Sequence, residues 1–85
     1  DASRLLAEAV GHLNAASAMG SAEADYILAR LYADRRYGMA DERAAFAAAL
    51  RAAERGHARA RRMVAAALYG GQGTPRGLAA ARDWF

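Results

Sequence analysis

GGQGTP, at residues 70–75, places three glycines within four positions and then the chain's only proline, in a sequence where 26 of 85 residues are Ala. Two readings compete. A phosphate cradle needs a preceding strand, a lysine and a following Ser or Thr. The chain has no Lys at all, and its β-branched residues are only Val10, Ile27, Val64 and Thr74, too few to build a sheet. The other reading is a joint between helices. Glycines allow the positive φ of a reversal, and Pro75 pre-sets φ for the first turn of the next helix. The joint is the better account, and the chain reads as all-α.

Further breaks stand at MGSA (19–22), RRYGMAD (35–41) and ERGHA (54–58). Between them the apolar spacing predicts five helices, near 3–18, 21–34, 41–54, 57–69 and 75–85. Ser3 and Asp41 read as N-caps, and the second helix starts at Ser21. Gly20 and Gly56 fit the position just past a helix end, where a left-handed residue is needed. Gly77 falls early in the fifth helix. Short loops between such helices make antiparallel hairpins.

Composition bounds the core. Only 21 residues are large and apolar, so the interior is thin and the helices approach closely through Ala. The chain has no cysteine, hence no disulfide framework and no thiolate metal site. No apolar run approaches the ~18 residues of a membrane span. All twelve basic residues are Arg, and the net charge is +3, a balance that permits an acidic partner without requiring one.

Shifting the chain by 36 superposes Gly20 on Gly56, Ala24 on Ala60, Ile27 on Met63, Leu28 on Val64 and Ala29 on Ala65. Matches between alanines are cheap in this composition. The glycine pair, the large apolar pairs and the equal helix phasing carry more weight. A period in the ~34–40 range with two helices per unit marks a tetratricopeptide-like solenoid.

The stretches AAERGHARA (52–60), LYGGQGTP (68–75) and AAARDWF (79–85) resemble the Sel-one-like repeat, a relative of the tetratricopeptide repeat. Gly71, Gly73, Thr74 and Pro75 match its loop, Trp84 and Phe85 its aromatic pair, and Ala24, Leu28, Ala29, Leu31 and Tyr32 its first helix. RRYGM (35–39) departs from the loop, and Ala48–Ala49 replace the aromatic pair of the same unit. The resemblance implies a right-handed α-solenoid of antiparallel helix pairs, about two repeats with partial units at both ends. Residues 1–20 would be the second helix of a partial repeat, 21–56 one degenerate repeat, and 57–85 a repeat cut within its second helix. The chain then reads as a fragment of a longer array.

Few residues suggest chemistry. His12 and His57 are the only histidines. His57 lies where the family commonly has His, which favours a structural or capping role, and Glu8 and His12 form an i, i+4 surface pair. No Ser–His–acid set or paired carboxylates appear, so no catalytic, cofactor or metal residue is assigned and the chain reads as no enzyme. Tyr26, Tyr32, Tyr37 and Tyr69 read either way, as packing rings or as a surface; Tyr32 fits a core column of the family, and Tyr37 in the degenerate loop is expected to be exposed.

The function this implies is a bacterial, non-catalytic scaffold or adaptor that binds another protein or peptide on its concave helix face, with no small-molecule substrate. Its compartment would be periplasm or cytoplasm, the periplasm favoured. Subtracting the family's core columns leaves Glu23, Ile27 and Arg30 on one stripe of the second helix. Their equivalents 36 residues on are Arg59, Met63 and Ala66. Stacked, the stripes should form one continuous concave strip, apolar in the middle through Ile27 and Met63 and charged at its edges; the more ordinary alternative is that these two side chains belong to the core. The alternatives are a nucleic-acid or anion-binding module through Arg55, Arg59, Arg61 and Arg62, with nucleic acid the less favoured partner, and an accessory region of a larger enzyme.

Overall fold

Four helices follow one another in the computed structural model, which describes residues 2–37, 40–71, 77 and 84. They are α1 (Ala2–Ala18), α2 (Ala22–Ala33), α3 (Glu42–Glu54) and α4 (Ala58–Gly70), with a 3-10 turn at Arg35–Tyr37 before α3. No strand occurs among the described residues. The four lie close to the spans the spacing predicts. Ser3, expected as a cap, instead lies inside α1, which begins one residue earlier.

The joints explain the boundaries. Past α1, Gly20 takes φ +92, its N–H donates to the Ser17 carbonyl at 2.9 Å, and the Ser21 N–H donates to Ala16 at 3.1 Å. Past α3, Gly56 takes φ +94, and Gly56 and His57 repeat the two bonds, to Ala53 and Ala52, at 3.0 Å each. This is the six-residue closure in which a left-handed glycine satisfies the last carbonyls of a helix. The next helices are capped alike. Ser21 Oγ accepts from the Ala24 N–H at 3.1 Å, and His57 Nδ1 accepts from the Ala60 N–H at 3.2 Å. Asp41 caps α3 in the same way, accepting from Ala44 at 3.1 Å.

One more bond belongs to the set. The Asp41 N–H donates to the Tyr32 carbonyl at 2.8 Å, and the Gly77 N–H donates to the Leu68 carbonyl at 2.8 Å. Apart from the Asp41 cap, the matched bonds (Gly20 with Gly56, Ser21 with His57, Asp41 N–H with Gly77 N–H) pair residues 36 apart. The Gly77 bond also corrects an expectation. Of the fifth helix predicted over 75–85, only Gly77 and Trp84 lie among the described residues, and neither is helical. Gly77 makes the backbone bond that Asp41 makes just before α3 begins. Gly73, Pro75, Phe85 and the rest of that span lie outside the described residues.

The 3-10 turn falls within the RRYGM stretch. Asp34 accepts from the Arg36 backbone N–H at 2.9 Å and pairs with its guanidinium at 2.7–3.1 Å. That side-chain bond holds the Asp34 carboxyl below its ordinary range. The Tyr37 side chain lies outside what is described.

α1 packs on α2, α2 on α3, and α3 on α4. The chain measures 43 × 26 × 15 Å with a radius of gyration of 12.8 Å, a little more extended than the ~12 Å of a compact domain of this length. The core is thin, as composition requires. Among the described residues its fully enclosed apolar side chains are alanines on α2, α3 and α4, with Leu28 and Val64 the larger ones. Ala24, Leu28 and Ala29 on α2 and Ala60, Val64 and Ala65 on α4 are all 4 % exposed or less, so the columns matched by the 36-residue shift are core in both helices. Val10, Leu13, Phe46, Leu50 and Trp84 pack against this centre from its margins.

Candidate functional site

The proposed stripe lies on α2 and α4, with Met63 placed otherwise than expected. Glu23, Arg30, Arg59 and Ala66 are exposed, and Ile27 is 37 % exposed. Met63 is half-buried and packs against the core, where it shares a hollow with Phe46 and Ala49 of α3. Ile27 and Met63 line separate hollows. Ile27, Arg30 and Leu31 line a shallow concavity of about 230 Å³ closed by Asp34 and Arg36. Met63, Ala66 and Ala67 line a second, of about 290 Å³, whose other wall is Ala45, Phe46 and Ala49 of α3. Ala33 and Glu42 complete it. The residues contributed by α2 and α4 are the same three positions, 36 residues apart. The first hollow carries charge on its rim, and the second is largely apolar.

Glu23 is not an open rim charge. Its Oε2 lies 2.7 Å from His57 Nε2. Since His57 Nδ1 accepts from Ala60, the proton sits on Nε2 and that nitrogen donates to Glu23. The imidazole also stacks on Tyr26, with ring centroids 4.4 Å apart and planes 22° apart, and the Arg30 guanidinium lies 5.9 Å over the other ring. The capping role expected for His57 is therefore one of three it performs. A cap contributes about 1 kcal/mol and a ring stack about 0.5–1.5. This cluster fastens the start of α4 to α2.

A second polar cluster escaped the sequence reading. Asp25 is fully buried. It accepts from Ser17 Oγ of α1, from Arg51 Nε at 3.2 Å and from Arg55 Nη1 at 2.5 Å, while the same Arg55 nitrogen donates to the Ser17 carbonyl at 3.0 Å. Three helices meet at one carboxylate. Two signals were available: Asp25 sits beside Ala24 and one turn before Leu28–Ala29, on the buried face, and Arg51 and Arg55 are spaced i, i+4.

This cluster changes the arginine patch. Arg55 pairs with Asp25, leaving Arg59, Arg61 and Arg62 exposed on α4. Glu8 pairs with Arg4 at 3.7 Å in place of the expected His12. No group of three or more His, Asp or Glu side chains gathers among the described residues, and no described helix is long and apolar enough to cross a membrane.

No family model matches the chain, and no curated protein or solved structure is significantly similar to it. The likeness to the Sel-one-like repeat rests on its own residues.

Proposed function

We propose that this chain is part of a non-catalytic, bacterial α-solenoid scaffold of the Sel-one-like kind, holding a peptide or protein partner along α2 and α4. The observation that carries this reading is the pair of hollows lined by Ile27, Arg30 and Leu31 and by Met63, Ala66 and Ala67. A surface that repeats at the spacing of the backbone suits an extended partner read by successive units. The partner's contacts centre on Ile27, Arg30 and Ala66, with Arg59 at the edge. Met63 forms the floor of its hollow, and Glu23 is engaged by His57.

The test is selection of binding peptides from a displayed library against the folded chain, followed by Ile27→Asp with Ala66→Asp. Both sites are exposed, so the double variant keeps its helicity and melting point and loses at least tenfold in peptide affinity. Selected peptides that bind the variant unchanged, or a library that yields none, would refute the reading.

A further inference from the structure

Charge is unevenly distributed over the first hollow, which is lined by two guanidiniums and one carboxylate. The carboxylate is already taken. Arg36 meets both oxygens of Asp34, through Nε at 3.1 and 3.0 Å and through Nη2 at 2.7 Å. Arg30 has no part in that fork, and its charge is the smallest of the influences that hold the Asp34 carboxyl low. Its guanidinium lies 5.9 Å over the Tyr26 ring, on which His57 also stacks. Two cations against one anion leave the hollow with one positive charge, on Arg30, beside the apolar Ile27 and Leu31.

α4 continues the imbalance. Arg59 and Arg62 are exposed there, and their spacing of three and four from Met63 and Ala66 puts all four residues on one face. Among the described residues, none of Arg30, Arg59 and Arg62 forms an ion pair. The carboxylates of the strip are engaged or set apart. Glu23 accepts from His57, Asp34 is paired with Arg36, and Glu42 lines the second hollow rather than the first.

We propose, on the reading of α2 and α4 as the binding face, that the partner is an acidic peptide segment. One Asp or Glu of the segment pairs with Arg30, and an apolar side chain next to it covers Ile27 and Leu31. Withdrawn in part from water, that carboxylate gains more from Arg30 than a fully solvated one would. The second hollow, lined by Phe46, Met63 and Glu42 among others, takes an apolar side chain and turns away a second carboxylate. Arg59 and Arg62 steer the segment in, whereas a basic segment would bring its cations against them. Nucleic acid fits less well. Ile27, Leu31 and Met63 offer phosphates nothing, and the ring beside Arg30 already carries His57 in place of a base.

The test draws binders from two displayed libraries of equal length and apolar content, one with Asp and Glu at its varied polar positions and the other with Lys and Arg. The acidic library yields the binders, and their affinity falls about tenfold as salt rises from ~0.05 to ~0.5 M. Arg30→Gln, at an exposed position, weakens a selected peptide about fivefold with the helical spectrum unchanged. Arg30→Glu abolishes its binding, and a peptide with Lys in place of the acid binds this variant instead. Binders drawn equally from both libraries, an affinity indifferent to salt or to Arg30→Gln, or displacement of the peptide by single-stranded DNA of matched charge would each overturn the acidic partner. Where neutral or basic binders map to α2 and α4 by backbone amide shifts, the strip stands and only its partner's charge is wrong. Where neither library binds, both readings fail.

Discussion

Arg55, just past the end of α3, closes on Asp25 of α2 at 2.5 Å, and the same nitrogen holds the last turn of α1 through the Ser17 carbonyl. The two sides of this pair are unequal. Asp25 has no exposure, whereas the Arg51 and Arg55 side chains are 44 % and 35 % exposed. Asp25→Asn leaves guanidiniums that turn to water, and should cost about 1 kcal/mol. Replacing both arginines by Met strands a buried carboxylate on one hydroxyl, and should cost about 3 kcal/mol. Urea unfolding of the two variants checks the order; equal losses would mean that the carboxylate reaches solvent.

Among the described residues, Leu28 and Val64 are the larger apolar side chains that are fully enclosed, in a core otherwise built of alanine. Leu28→Ala leaves a void that neighbouring alanines cannot fill, and should cost ~3 kcal/mol. Val64→Ala removes less and gains helix propensity, so a loss of ~1.5 kcal/mol is expected. For a domain whose total stability is about 4–12 kcal/mol, the first change should bring the melting point close to ambient temperature. Thermal unfolding followed by circular dichroism measures both.

Gly56 and Gly11 make a matched pair, since a Cβ added at either meets nothing within 4 Å. Only the backbone distinguishes them. Gly56 lies at φ +94, where an L side chain is strained, so Gly56→Ala should cost about 1 kcal/mol. Gly11 is exposed in the middle of α1, and Gly11→Ala should stabilise by up to ~1 kcal/mol. Denaturant midpoints moving in opposite directions are the expected result.

Four helices and their joints were legible because the sequence marks them locally. Ser21 and Asp41 cap, Gly20 and Gly56 reverse the chain, and Ala24, Leu28 and Ala29 share a face that returns 36 residues on. What was not legible depends on distance. Asp25 is bonded to residues 8, 26 and 30 positions away; its place on the buried face and the i, i+4 spacing of Arg51 and Arg55 were local signals, but that the two would meet is set by how α2 and α3 pack. Met63 was misplaced for a related reason. Helical spacing assigns a face, but how far a flexible side chain turns inward depends on Phe46 and Ala49, contributed by a different helix.

An interior of methyl groups also sets how this protein responds to heat. The heat capacity released on unfolding follows the apolar area exposed, ~1.1 kcal/mol/K for an average chain of 85 residues. Alanines hide little area each, so the value here should fall below that. The stability curve is then shallow, its summit broad and its thermal transition gradual, and the protein loses little of its stability on cooling.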